Sequence, residues 1–234
     1  MARKPDLPEK TGPLRGRALV VGASGGIGRA LSEALAAGGA DVTRLSRTED
    51  GFDITDPAAV DRVMQGLSGP FETILIASGI LAPQGARPEK SLAEIDAARM
   101  AQVMAVNAIG PALVLRHAPR LLPRAGRARV GVLTARVGSI GDNGLGGWFS
   151  YRAAKAAANQ IVRSAAIEIA RTHKAAVVVA LHPGTVETDF TRAYPGHRKV
   201  TPDEAAANLL AVLDRLTPAE SGGFFDWAGE PVPW

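Results

Sequence analysis

The chain contains no cysteine, which excludes a disulfide framework and any thiolate metal site and accords with a reducing compartment. Histidine is scarce too. The four present, His117, His173, His182 and His197, are scattered without metal-ligand spacing, so a metal centre is not expected. No run of about 20 apolar residues is available to span a bilayer, and Pro5 and Pro8 stand where a signal peptide needs an apolar core. The expectation is a cytoplasmic protein with no membrane partner. Internal repeats and low-complexity linkers are also missing.

The excess of positive over negative charge is small and sits mostly at one end. Five basic side chains (Arg3, Lys4, Lys10, Arg15, Arg17) and two acids (Asp6, Glu9) lie within the first 17 residues and supply +3 of the net +4. The rest of the chain is close to neutral, so the pI near 9.8 does not predict a nucleic-acid partner. Residues 1–15 are expected to form a flexible basic arm. Residues 16–234 are long enough for one α/β domain with a substantial core.

What is present begins with Arg17 to Gly22, a short apolar strand, followed by Gly22-Ala23-Ser24-Gly25-Gly26-Ile27-Gly28 and a helix with Ile27, Leu31, Ala34 and Leu35 at helical spacing. Strand, glycine turn and helix open a dinucleotide-binding βαβ unit. Gly22 and Gly26 let the backbone turn tightly against a pyrophosphate, Gly28 lets the helix close on the strand, and the helix N-terminus receives the phosphate charge. Asp41 to Ser46 gives a second strand. Where an NAD site carries a carboxylate for the ribose 2′-hydroxyl, this chain has Ser46-Arg47, with Arg29 on the first helix. Guanidinium groups bind a 2′-phosphate, so NADP(H) is favoured over NAD(H).

Phe52-Asp53-Ile54 reads as a short third strand, in which Asp53 either accepts from the adenine amino group or caps nearby backbone. Thr73 to Ala77 is a buried parallel strand running into Ser78-Gly79, where a glycine lets the chain pass close to a cofactor ribose. Helices follow over 92–106 and 108–122, with Pro119 expected to end or bend the second. Asn107 lies between them, either satisfying bent backbone or holding a water for proton transfer. Ala128 to Thr134 is a fifth strand, and the glycine-rich loop 136–144 after it reads as a site wall. Ser150 is read as the N-cap of a long helix reaching about His173. Strand 175–181, a lid-like stretch 189–200, helix 202–216 and a closing strand 223–227 complete a doubly wound Rossmann-type parallel sheet of about seven strands, with helices on both faces.

The long helix carries Tyr151 and Lys155. Residues four apart share a helix face, so the ammonium and the phenol neighbour each other, and a phenol of pKa about 10 becomes a usable acid/base when a cation favours its phenolate.

With these motifs in order, the chain from residue 16 onward resembles a classical short-chain dehydrogenase/reductase. Within that family the loop Arg136 to Asn143, Gly146-Gly147-Trp148-Phe149-Ser150-Tyr151-Arg152 and the terminal Gly229-Glu230-Pro231-Val232-Pro233-Trp234 resemble the C-factor and sniffer-like carbonyl reductase branch. The resemblance implies a tetrad of Asn107, Ser139, Tyr151 and Lys155. In it Tyr151 donates a proton to a carbonyl oxygen, Lys155 lowers the phenol pKa and holds the nicotinamide ribose, Asn107 positions a water, and Ser139 bonds the oxygen. It further implies cofactor contacts at Ser24, Gly25, Ile27, Ile54, Ala77, Pro183, Gly184, Thr185, Val186 and Thr188. A small carbonyl or alcohol substrate and a homodimer or homotetramer are also implied, with Ala153, Ala157 and Ala158 forming a close-packing helix face. Three positions depart from the family pattern. Ile76-Ala77-Ser78-Gly79 replaces Asn-Asn-Ala-Gly, Ala135 falls on the usual serine, and the serine role passes to Ser139, with Thr134 second.

Overall fold

The computed structural model describes residues 14–192 and 199–234. The basic arm therefore lies outside the described residues except at Leu14 and Arg15, as does half of the lid-like stretch 189–200, including Tyr194. The chain runs through β1 (Gly16–Val21), α1 (Gly26–Ala37), β2 (Ala40–Leu45), α2 (Arg47–Asp50), α3 (Pro57–Gly66), β3 (Thr73–Ile76) and α4 (Ala97–Met104). It continues through α5 (Gly110–Leu115), α6 (Ala118–Leu121), β4 (Ala128–Leu133), α7 (Phe149–Ile169), β5 (Ala176–His182), α8 (Pro202–Arg215) and β6 (Phe224–Asp226).

Six strands form one parallel sheet in the order β2-β1-β3-β4-β5-β6. Side chains alternate across it, as strand geometry requires. Leu19 and Val21 face one layer with Val60, Met64, Leu115 and Val162, whereas Ala18 and Val20 face the other with Leu31, Leu35, Leu209 and Leu213. Helices α3, α5 and α7 cover the first face and α1 and α8 the second. A sheet buried on both sides needs the near-continuous apolar strands that the sequence shows. Truncating one of these fully buried leucines to alanine removes about 2–5 kcal/mol of stability.

Four local expectations are corrected. The third strand at residues 52–54 does not form, so the sheet has six strands and ends at β2. Asp53 turns its carboxylate onto its own chain, Oδ1 accepting from the Thr55 N–H at 2.8 Å and the Thr55 hydroxyl at 2.7 Å, while the Phe52 N–H reaches back to the Ser46 carbonyl at 3.0 Å. Phe52 and Ile54 are still core residues. The helical stretch expected from 92 starts at Ala97, because the Asp96 carboxylate caps the Arg99 N–H. From there Ala97–Leu115 runs on through a π turn at Ala105–Ile109. Its length and hydropathy of 1.3 match a membrane span, but it packs against α7 as a core helix of the fold. Pro119 sits in the first turn of α6, after a break at Arg116 and His117. Ser150 is not the N-cap of α7. Trp148 holds that position at φ 53°. Finally, Ala158 is buried in the core, so Ala153, Ala157 and Ala158 do not share an open face.

Candidate active site

In the sheet order the chain reverses direction between β1 and β3, the place where open α/β sheets hold ligands beyond their strand ends. Backbone defines this crevice. Gly22 has φ 87°, and a Cβ there would meet Ser78 N and Oγ at 2.8 Å; at Gly28 it would stand 2.1 Å from the Gly22 carbonyl oxygen. Only glycine lets the turn, the end of β3 and the start of α1 close on one another. Helix α1 begins at Gly25 with no side-chain cap and no acid in its first turn, so its leading amides face an electropositive end suited to phosphate. Ser24 and Gly25 are exposed there, and Ile27 is half-buried. The Thr188 side chain leans over Gly26, where a Cβ would meet its Cγ2 at 2.7 Å. The segment after β5 thus borders the phosphate turn. Within that segment Pro183 and Val186 are buried and Gly184 adopts φ 78° beneath the Trp227 ring.

The crevice continues to α7. A Cβ on Gly79 would stand 3.1 Å from Asn107 Oδ1 and 3.4 Å from Lys155 Nζ. Ala77, Ser78 and Gly79 therefore connect the glycine turn to Lys155 without a gap. Lys155 is 4% exposed, and its ammonium donates to the Leu133 carbonyl at 2.9 Å. Burial lowers its pKa to about 8. Tyr151, 6% exposed, has its ring centroid 5.8 Å from Lys155 Nζ. Desolvation pushes the phenol well above its ordinary value. The phenol is thus held protonated, as a donor.

Apolar groups enclose this acid. Trp148 and Phe190 lie with ring centroids 6.2 Å and 5.7 Å from Tyr151, and Val103, Ala135 and Val137 belong to the same cluster. The Ser139 oxygen accepts from the Asp142 N–H at 3.1 Å, which closes the loop and leaves the hydroxyl hydrogen available. Thr134 Oγ1 is buried without a hydrogen-bond partner. Asn107 spends both amide atoms on Ile80, Oδ1 accepting from its N–H at 2.9 Å and Nδ2 donating to its carbonyl at 2.7 Å. Of the two roles open to Asn107, the structure shows it bonded to displaced backbone. The π turn that carries Asn107 is a common device where a helix must aim a functional side chain.

At the adenine end, Ser46 caps α2, accepting from the Glu49 N–H and donating through N–H and hydroxyl to Asp50. Arg47 and Arg29 are exposed and make no ion pair among the described residues. Asp53 is committed to Thr55, whose bonds, with Arg47 nearby, hold its carboxyl below the usual range. Ile54 packs beneath Gly110. Sequence reasoning gave Glu89 no role; it placed Trp148 in the family-like stretch before Tyr151 and Phe190 in the lid-like stretch 189–200, without setting either ring against the phenol. All three come from loops with no periodicity.

The model of the short chain dehydrogenase family matches residues 17–199. The chain belongs to that family. It is 33% identical over 92% of its length, and 98% of the relative's, to 1-hydroxy-2-glutathionyl-2-methyl-3-butene dehydrogenase of Rhodococcus sp.. The C-signal protein of Myxococcus xanthus is 39% identical over 62% of this chain and 84% of that protein. Among solved structures, an NADPH-bound carbonyl reductase from chicken fatty liver superposes with a TM-score of 0.85 at 26% identity, covering 95% of this chain and 96% of the other. This chain is accordingly an oxidoreductase of the short-chain dehydrogenase family, with the C-signal protein among its relatives.

Proposed function

We propose that this short-chain dehydrogenase reduces a small carbonyl compound with NADPH, converting C=O, NADPH and H⁺ to an alcohol and NADP⁺. The observation that carries this reading is the unbroken path from the glycine turn through Ser78 and Gly79 to Lys155, on the same helix as Tyr151. NADPH, when bound, supplies the hydride. The Gly22 to Gly28 turn and the α1 N-terminus would hold its pyrophosphate, Arg47 and Arg29 its 2′-phosphate, and Lys155 its nicotinamide ribose.

Tyr151 gives its proton to the carbonyl oxygen as negative charge develops there. Burial raises the phenol pKa, so Tyr151 carries its proton near neutrality. Lys155 refills Tyr151 from its own ammonium, and Ser139 donates a second hydrogen bond to the substrate oxygen. Asn107 fixes the Ile80 backbone beside them. Trp148, Phe190 and Val137 keep water from the reacting pair. The chicken enzyme's bound NADPH supports the choice of cofactor.

A cytoplasmic homodimer or homotetramer fits this reading, and the exposed Ile109 and Ile167 are its candidate contacts. The second reading is a dinucleotide-binding signalling protein with little turnover, favoured by Ala135, which puts a methyl group in the Tyr151 cluster. The test is a panel of carbonyl compounds followed by NADPH consumption at 340 nm, run in parallel with NADH. The reductase reading expects turnover with NADPH exceeding that with NADH, while NADPH binding with no turnover on any carbonyl favours the signalling reading.

A further inference from the structure

The first turn of α7 is held from outside the helix. Trp148 caps no amide with its side chain. The capping comes from Glu89, sixty-one residues ahead of Ser150, in the loop that leaves β3. Its Oε2 accepts from the Ser150 N–H at 3.2 Å, its Oε1 accepts from the Ser150 hydroxyl, and its backbone carbonyl accepts from the Trp148 N–H at 2.5 Å. A carboxylate there meets both the unpaired amides and the positive end of the helix dipole. Glu89 and Ser150 are 7% and 2% exposed, so water does not compete for these bonds.

Burial alone would raise the Glu89 carboxyl. The bonds from Ser150 and from its own backbone, with the positive charge of Arg99 on α4, outweigh that and hold it below the usual carboxylate range. Nearby in the chain, Arg87 pairs with Glu94, whose Oε2 also accepts from the Lys90 backbone N–H. Glu89 is therefore an ionised group committed to Ser150.

The two ends of this loop are fastened to two parts of one site. At the near end Asn107 grips Ile80, next to Gly79 and Lys155. At the far end Glu89 grips Ser150, whose neighbour in the chain is Tyr151. The stretch 80–89 thus spans the gap between the crevice and Tyr151: Ile80 and Leu81 pack against the Tyr151 cluster, and Glu89 supplies the side-chain hydrogen bonds to α7.

We propose that Glu89 is a positioning residue for the acid Tyr151, acting through Ser150 to set where the phenol stands relative to the substrate carbonyl and the dinucleotide. The proposal rests on the reductase reading above. Displacing a reacting group by about 1 Å costs on the order of 100-fold in rate, and the first turn of a helix released from its cap shifts on that scale.

The experiment compares wild type, Glu89→Ala, Glu89→Gln and Ser150→Ala, using the best carbonyl from the panel. Four readings are taken: kcat, KM, the NADPH dissociation constant by fluorescence, and hydrogen exchange at the 148–152 amides. Glutamine keeps an acceptor for the Ser150 N–H and a donor for its oxygen. Expected for Glu89→Ala is a kcat loss of about 10- to 100-fold, with NADPH affinity within about twofold and faster exchange at 148–152. Glu89→Gln returns kcat to within about threefold of wild type, and Ser150→Ala falls between. Unchanged kcat in Glu89→Ala overturns the proposal, as does failure of Gln to rescue. Parallel loss of NADPH binding overturns it too, because it marks a general scaffold role. If the parent protein binds NADPH yet turns over no carbonyl, the reductase reading fails and this proposal with it. The two failures are told apart by whether the parent or only the variant is inactive.

Discussion

The two halves of the crevice are made differently. The half suited to a dinucleotide is made largely of backbone: a turn at Gly22, helix-end amides, the passage at Gly79, and Thr188 folded over Gly26. The half around the proton donor is made of side chains from separated segments: Ala135 and Val137 after β4, Trp148 and Tyr151 at the start of α7, and Phe190 after β5. Backbone sites tolerate no Cβ and so are marked by glycine in the sequence. Side-chain sites tolerate many residues, and their shape depends on how loops meet. The first half offers amides and a tight turn suited to phosphate, and the second gathers side chains around the Tyr151 phenol.

Substitutions can break or sharpen this contrast. The largest effect on cofactor binding is expected on the backbone side. Gly28→Ala places a Cβ against the Gly22 carbonyl, with no flexible group to yield. Overpacking of this kind costs about 1–3 kcal/mol, and NADPH affinity should fall by about 100-fold in a fluorescence titration. Arg47→Ala acts on an exposed group, so a smaller change is expected: the NADPH-to-NADH ratio of kcat/KM falls about tenfold, and NADH turnover is untouched. On the side-chain side Ala135→Ser adds a hydroxyl within the Tyr151 cluster. A gain of roughly threefold in kcat, with unchanged NADPH affinity, is expected from steady-state rates.

The smallest effect at neutral pH concerns Lys155. Its charge is lost as pH rises through about 8, so kcat/KM for NADPH, which reports the free enzyme, should fall about twofold between pH 7 and 8 and more steeply above. Stability moves the other way. Between about 8 and 10.5 the unfolded chain binds more protons than the folded one, so folding becomes more favourable with pH across that window. Lys155→Met removes both trends, as pH–rate and thermal-melt series would show.

The same contrast explains what was legible in the sequence. β1, the glycine turn, α1, the buried strands and the Tyr151 helix follow from period and glycine placement. The family followed from their order. Strand 52–54 was misread because two apolar residues flanking an acid look like a short strand. Asp53 satisfies its own turn through Thr55, and that removes the need for a ladder partner. Ser150 was misread as a cap because a serine ahead of an alanine-rich run is the usual signal. The true partner, Glu89, lies in a loop far off in the chain, and only tertiary contact reveals it. Asn107 was found by its setting, but its bonds to Ile80 depend on a π turn that no spacing rule announces.

The central claim is that a phenol and an ammonium on one helix act at the end of a dinucleotide crevice. Tyr151→Phe tests it most directly, with NADPH consumption and NADPH binding measured on the same preparation. The predicted result is a loss in kcat of about 10²- to 10⁴-fold with the dissociation constant unchanged. Wild-type turnover in the phenylalanine variant would contradict the account.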